Sequence, residues 1–168
     1  HPDCAAGAGA DTVTFAVGGT ITLTAALPDI TDPAGVVIGA MDQSVTVSGN
    51  HAVRPLRVGV GAKLDLRGLV VVKGRASYNG GGLLNAGGGV TIIGSTFRDN
   101  QAAGGSGGGI ASIGGALDVV DSTIEANSAP GGEGGGIYSE SGHLRLLDTW
   151  INGNQAVAGG GVTNRVGL

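Results

Sequence analysis

The sequence predicts an all-β fold: a right-handed, single-stranded parallel β-helix of about six or seven coils, with about three short strands in each coil. Three observations carry the prediction. Glycine triplets recur at Gly80-Gly81-Gly82, Gly107-Gly108-Gly109, Gly134-Gly135-Gly136 and Gly159-Gly160-Gly161, offset by 27, 27 and 25 residues. Apolar columns stay in register between them: Leu83, Ile110, Ile137 and Val162; Val90, Leu117 and Leu144; Ile92, Val119 and Leu146; Phe97, Ile124 and Ile151. Three residues beyond the last column stands an asparagine each time, at Asn100, Asn127 and Asn154. A period in the twenties with apolar columns marks a solenoid, because each unit buries its inner face only by stacking on the next.

Composition narrows the alternatives. Glycine supplies 36 of 168 residues while aromatics make up only 3%, against an average glycine content of about 7%. Collagen requires glycine at every third position, which fails here. A flexible linker has no ordered apolar columns, whereas this chain is 41% apolar. Glycine serving the tight turns of a β-solenoid remains. The length suits one domain, residues 1–168. It divides into a connector at 1–10, irregular N-terminal coils at 11–79 and regular coils of about 27 residues at 80–168.

Along the chain, residues 1–10 show no periodicity. Val13, Phe15 and Val17 alternate up to a Gly18-Gly19 turn, and Ile21 and Leu23 alternate with threonines beyond it. Such alternation predicts strands with one buried face. Leu27-Pro28 and Asp32-Pro33 punctuate a loop. Residues 36–38 and 45–47 form the next short strands, closed by Gly49-Asn50. An early coil follows over 53–66, in which Leu64, Leu66 and Val71 match Val90, Ile92 and Phe97 at an offset of 26. Equivalent residues climb one coil per repeat, so the sheets are parallel and stack at about 4.8 Å. No stretch carries a 3.6-residue period.

The charge is sparse and mildly acidic, 9 Lys+Arg against 13 Asp+Glu for a net charge of −4. With no basic stripe interleaved with aromatics, nucleic acid is not an expected partner. No apolar run approaches the roughly 18 residues of a membrane span. The sequence opens at His1 without Met, which suggests a processed or truncated product. Cys4 is the only cysteine, so no intrachain disulfide is expected; it reads as a small apolar side chain, with an interchain bridge or a bond to a segment outside this sequence as the alternatives.

The repeated polar residues define the candidate sites. Stacked at one turn, Asn100, Asn127 and Asn154 predict a structural ladder, each amide donating to the carbonyl of the next coil and accepting from the previous one with its backbone near the left-handed region. The glycine triplets predict left-handed corners; a phosphate cradle fails because no Gly-x-Gly-x-x-Gly precedes a helix. On the outer surface, Asp118 should pair with Arg145 and Arg98 with Glu125, one coil apart. Asp121 and Asp148 also lie 27 apart. Adjacent carboxylates either raise a pKa or recruit a cation, so these two are the candidate Ca²⁺ ligands, with a plain solvated turn as the alternative. No other cofactor is expected. His1, His51 and His143 fall at no zinc-ligand spacing. Ser106 and Ser112 lack a Gly-x-Ser-x-Gly elbow. Trp150 replaces Thr96 and Thr123 in its column and should face outward, to stack on a sugar or pack on a neighbour. Tyr138 is a further aromatic of the regular coils.

The Gly-Gly-Gly-Ile element followed by Phe97-Arg-Asp-Asn100, Ile124-Glu-Ala-Asn127 and Ile151-Asn-Gly-Asn154 resembles the repeat of the polymorphic outer-membrane protein family, whose units carry Gly-Gly-Ala-Ile-like and Phe-x-x-Asn elements. Only the first copy here keeps the Phe. Asp11-Thr-Val-Thr-Phe15, Gly19-Thr-Ile-Thr-Leu23 and Ala26-Leu-Pro28 are similar to the N-terminal region of bacterial surface proteins with right-handed parallel β-helix repeats. The resemblance implies an exported, extracellular or cell-surface structural protein of a bacterium, and it transfers no catalytic residues. Such proteins usually carry a capping helix before this region and further coils or an anchor after it.

Three functions remain open. One is a non-catalytic structural or adhesive module on a cell surface, facing a host or glycan surface. Another is a filament subunit, self-associating through open β-helix ends. The third is a carbohydrate-binding or polysaccharide-degrading protein using Asp118, Asp121 and Asp148 with Arg145. The fold is shared with lyases and galacturonases and does not decide between them.

Overall fold

The computed structural model describes residues 9–166. Every regular element in it is a strand, so none of the described residues forms a helix long and apolar enough to cross a membrane. The strands stack into four parallel sheets, giving a β-solenoid of about six turns.

One regular coil shows the path. Gly89–Ile93 lies in sheet 1, Thr96–Arg98 in sheet 2, Gln101–Ala102 in sheet 3 and Ile110–Ile113 in sheet 4, after which Ala116–Val120 re-enters sheet 1 one step along the axis. Sheets 1 and 2 have six strands each, sheet 3 four and sheet 4 five. A regular coil thus holds four strands rather than the three expected. The extra one follows the ladder asparagine and is only two residues long at Arg75–Ala76 and Gln101–Ala102, too short to show alternation.

The register is the sequence repeat made physical. Leu64 pairs with Val90, Val90 with Leu117 and Leu117 with Leu144, all inward in sheet 1. Val71, Phe97, Ile124 and Ile151 do the same in sheet 2, and Leu56, Leu83, Ile110, Ile137 and Val162 in sheet 4. Most of these side chains are sealed in one continuous core. The columns open at the two ends: Leu144, Ile151 and Val162 are half-buried in the last coil. The first coil contributes only Asp11–Thr14 and Gly19–Thr22. Those strands are exposed, and the burial that the alternation predicts is reached only beside them, at Leu23, which is 7% exposed, and in part at Phe15, both packed on the core.

The glycine triplets divide their work. Only the first glycine of each takes the left-handed conformation, with φ of 70° at Gly80 and Gly107, 60° at Gly134 and 58° at Gly159. The second is there for close approach. A Cβ on Gly81 or Gly108 would stand 2.3 or 2.4 Å from the carbonyl oxygen of Gly108 or Gly135 in the next coil. The third faces the ladder: a Cβ on Gly109 would lie 3.0 Å from Asn127 Cγ, and one on Gly136 3.0 Å from Asn154 Nδ2. The triplet and the asparagine are therefore one device, viewed from opposite walls of the coil.

Candidate functional site

The best-defined polar constellation lies inside the solenoid. Asn127 Nδ2 donates to the Phe97 carbonyl in the preceding coil (2.9 Å) and to Asn154 Oδ1 in the following one (2.9 Å). Its Oδ1 accepts from the backbone N–H of Asn100 (3.0 Å) and from Asn100 Nδ2 (2.9 Å). Asn100 repeats the pattern one coil earlier, donating to the Val71 carbonyl (3.0 Å) and accepting from the Gly74 N–H (2.8 Å). Asn154 donates to the Ile124 carbonyl (2.8 Å). Each interior amide thus donates in both axial directions, and the backbone carbonyl it reaches belongs to the preceding coil rather than the next one as expected, the next coil offering its asparagine Oδ1 instead. Asn100 and Asn127 are each 1% exposed, so these bonds satisfy groups that water does not reach.

The expected backbone geometry is also corrected. None of the three asparagines has positive φ; the residue before each one does, Asp99 at 55°, Ala126 at 52° and Gly153 at 62°. That residue turns the corner in the left-handed conformation and aims the asparagine inward. Gly74 occupies the ladder position one coil before Asn100. A Cβ there would meet the Gly81 oxygen at 2.3 Å and Asn100 Oδ1 at 2.8 Å, which explains why the ladder starts at Asn100.

Further interior columns escaped the sequence reading. Ser122 Oγ accepts from the Ser95 N–H (3.1 Å) and donates to the Val120 carbonyl (2.7 Å). Ser95 Oγ repeats this with Leu69 N–H and the Ile93 carbonyl. Thr149 continues the column, its Oγ1 donating to the Leu147 carbonyl (2.9 Å). The 27-residue offset between Ser95 and Ser122 stands in the sequence, but a small hydroxyl beside a turn does not announce which way it faces. In sheet 4, Asn85, Ser112 and Ser139 are paired neighbours with no exposed surface. Asn85 Nδ2 reaches Ser112 Oγ at 3.1 Å and its Oδ1 accepts from Gly88 N–H at 2.8 Å. Ser139 Oγ is buried with no hydrogen-bond partner. Arg54 donates to the carbonyls of Asn79 (2.8 Å) and Gly80 (2.7 Å), bracing the first triplet.

The surface candidates keep their register: Asp121 and Asp148 stand at the same corner one coil apart, as their offset predicts. Asp121 and Asp148 are exposed corner residues between sheets 1 and 2, both with φ of 47°. Gly68 and Gly94 hold the same corner in earlier coils, with φ of 68° and 58°. Aspartate tolerates that conformation better than most side chains, which accounts for both residues without a ligand. Among the described residues, no group of three or more His, Cys, Asp or Glu is placed to hold a metal ion.

The register sets Asp118 beside Arg145 and Arg98 beside Glu125 as expected, but the close side-chain contacts form elsewhere. Asp118 Oδ1 lies 3.8 Å from His143 Nδ1, and Arg98 Nε 3.5 Å from Asp99. Outward side chains on a strand have room to choose a diagonal or sequence neighbour over the directly opposed residue. Glu133 and Arg165 form a two-pronged bridge, and those hydrogen bonds hold the Glu133 carboxyl below the usual glutamate range.

Trp150 is 66% exposed at the end of the outward column Val70, Thr96 and Thr123. Tyr138 is buried beside Ala111 and Thr163, and burial, followed by the nearby Glu140 carboxylate, raises its phenol pKa. His51 is an exposed corner residue with φ of 55°. Ser106 Oγ accepts from Glu133 N–H, a structural contact. His1 and Cys4 lie outside the described residues.

The outer face of sheet 1 carries a trough of about 340 Å³ flanked by Ala10 and Ala34. The row Val37, Asp65, Thr91 and Asp118 crosses it on four neighbouring strands, half-buried, with Lys63 and Gly89 in the adjacent outward row. Arg67 grips the Asp65 carboxylate through two hydrogen bonds.

Comparison with family models, with characterised proteins and with solved structures finds no match to this chain. The resemblance to bacterial surface repeats rests on the repeat residues themselves.

Proposed function

We propose that this chain is a non-catalytic structural module, a stiff β-solenoid section of an extracellular or cell-surface bacterial protein that spaces or displays adhesive surface. One observation carries the reading: the asparagine column and the Ser95–Ser122 column inside the regular coils bond one coil to the next, Ser139 alone of the buried polar side chains described above standing without a partner. An axial load on the rod is then shared among four strand ladders and the asparagine and serine columns. The placement of the acidic residues supports the same reading. Asp121 and Asp148 sit on an exposed corner, and Asp118 on the outer face of sheet 1, so no acid pair converges on one enclosed position.

Self-association through open strand edges is the second reading, resting on the unpaired edge strands of the described residues. The last described coil offers four edge strands, whereas the first offers two.

Two experiments test the structural reading. Held between reference domains in an optical trap, the chain should resist to high force and then open in steps of about one coil. Incubated with neutral and acidic polysaccharides, it should release neither reducing ends nor unsaturated products. Turnover that disappears in Asp118→Asn or Asp121→Asn, in protein that keeps its fold, would overturn the proposal.

A further inference from the structure

We propose that Asn152 is a site of spontaneous deamidation, through a succinimide closed with Gly153, and that the conversion loosens the asparagine ladder at Asn154. This is a covalent modification that a structural rod does not require.

The chain holds two Asn-Gly pairs, Asn79-Gly80 and Asn152-Gly153. Glycine has no Cβ to shield its nitrogen, so each pair is chemically competent for ring closure. The structure treats them oppositely. Asn79 Oδ1 accepts from the Ser106 N–H (2.7 Å), and the Asn79 carbonyl accepts from Arg54 Nη2 (2.8 Å). Gly80 N–H donates to the Ser106 carbonyl (3.0 Å), and the Gly80 carbonyl accepts from Arg54 Nε (2.7 Å). Side chain and peptide are therefore clamped apart, and the nucleophilic nitrogen is tied.

Asn152 is the exposed last residue of the edge strand Trp150–Asn152. Neither its side chain nor the Gly153 N–H has a hydrogen-bond partner among the described residues. One bond from those residues holds the peptide between them: the Asn152 carbonyl accepts from Ala126 N–H (3.1 Å). Opening one bond at an edge strand is a local event and does not need global unfolding.

The reaction needs only water. Gly153 nitrogen gives up its proton to solvent base and attacks Asn152 Cγ; the new C–N bond closes the ring, and the side-chain nitrogen leaves as ammonia. Water then opens the ring at one carbonyl or the other, giving aspartate or isoaspartate. Each product disturbs the ladder. A carboxylate at this position faces Glu125 across sheet 2, and like charges directly opposed on neighbouring strands repel. Isoaspartate also adds a carbon to the main chain just before Asn154, whose Oδ1 accepts from the backbone N–H and the Nδ2 of Asn127 (both 2.9 Å).

The test is timed incubation of the intact folded chain in mildly alkaline buffer, followed by tryptic mapping with mass spectrometry. Peptides 76–98 and 146–165 separate the two sites, and fragmentation assigns the asparagine within each. Asn152 should lose its amide at least about tenfold faster than Asn79, and in urea the two should react at comparable rates. Gly153→Ala copies the corner one coil earlier, where Ala126 holds φ at 52°. Its Cβ meets nothing closer than Ala126 N at 3.8 Å, and it should slow conversion of Asn152 about tenfold. In the converted chain the Asn127 side-chain amide should exchange with solvent faster than in the parent. The proposal is overturned if the two sites convert at one rate in the folded chain, or if the contrast persists unchanged in urea. It is equally overturned if Gly153→Ala leaves the rate at Asn152 unchanged, or if conversion leaves exchange at Asn127 as it was.

Discussion

Replacing Asn127 with alanine tests the interior ladder at its centre. The side chain takes part in four hydrogen bonds, two donated and two accepted. Truncation leaves the Asn100 backbone N–H and one Asn100 amide hydrogen without an acceptor in a site that is 1% exposed. Each buried donor left unsatisfied costs about 1–3 kcal/mol, so Asn127→Ala should destabilise by about 4 kcal/mol. Against a typical domain stability of about 5–15 kcal/mol, that corresponds to roughly 8–16 °C in Tm for a chain of this size. Asn154→Ala removes the same acceptor from Asn127, but its site is half-buried in the last described coil. Water can replace the lost partner there, and the cost should be about 1–2 kcal/mol. Urea unfolding followed by far-UV circular dichroism measures both. Equal losses for the two variants, or a loss under about 1 kcal/mol for Asn127→Ala, would refute the reasoning.

Three further outcomes follow from the same geometry. Gly108→Ala places a Cβ 2.4 Å from the Gly135 oxygen and should prevent the two coils from stacking. Gly114→Ala meets nothing within 4 Å and carries only the penalty of φ at 69°, about 1–2 kcal/mol; thermal melts of the pair separate close approach from backbone strain. Asp121→Gly relieves a non-glycine corner at φ 47° and should raise Tm, with Ca²⁺ leaving both proteins' melts unchanged; a Ca²⁺-dependent rise confined to the parent would instead establish the cation site. The Glu133 carboxyl is held low by Arg165, so that bridge stabilises at neutral pH. Its contribution is lost as pH falls through the lowered value, and Arg165→Gln should flatten that part of the acid limb in a stability-versus-pH series.

The repeat was legible because its period is nearly constant and its columns are chemically pure. Phe97, Ile124 and Ile151 announce themselves, as do Asn100, Asn127 and Asn154. The fourth strand was hidden because Gln101–Ala102 is two residues long and carries no alternation. The left-handed corner was assigned to asparagine, which tolerates it locally; burial decided otherwise, since an inward amide needs its exposed predecessor to turn. Ala126 bears that strain with no intrinsic preference for it. For the surface, the offset placed Asp118 beside Arg145, yet side-chain reach selected His143. The trough had no signature, because its outward row changes residue type from coil to coil at Val37, Asp65, Thr91 and Asp118, and Gly89 contributes by lacking a side chain.

The most direct measurement is hydrogen exchange of the asparagine side-chain amides, observed by nuclear magnetic resonance on the folded chain. If interior amides bond coil to coil, the Nδ2 hydrogens of Asn100 and Asn127 should exchange far more slowly than those of Asn164, which is exposed, with Asn154 between. Exchange of the Asn100 and Asn127 amides at the rate of Asn164 would contradict the ladder, and with it the structural role assigned to this solenoid.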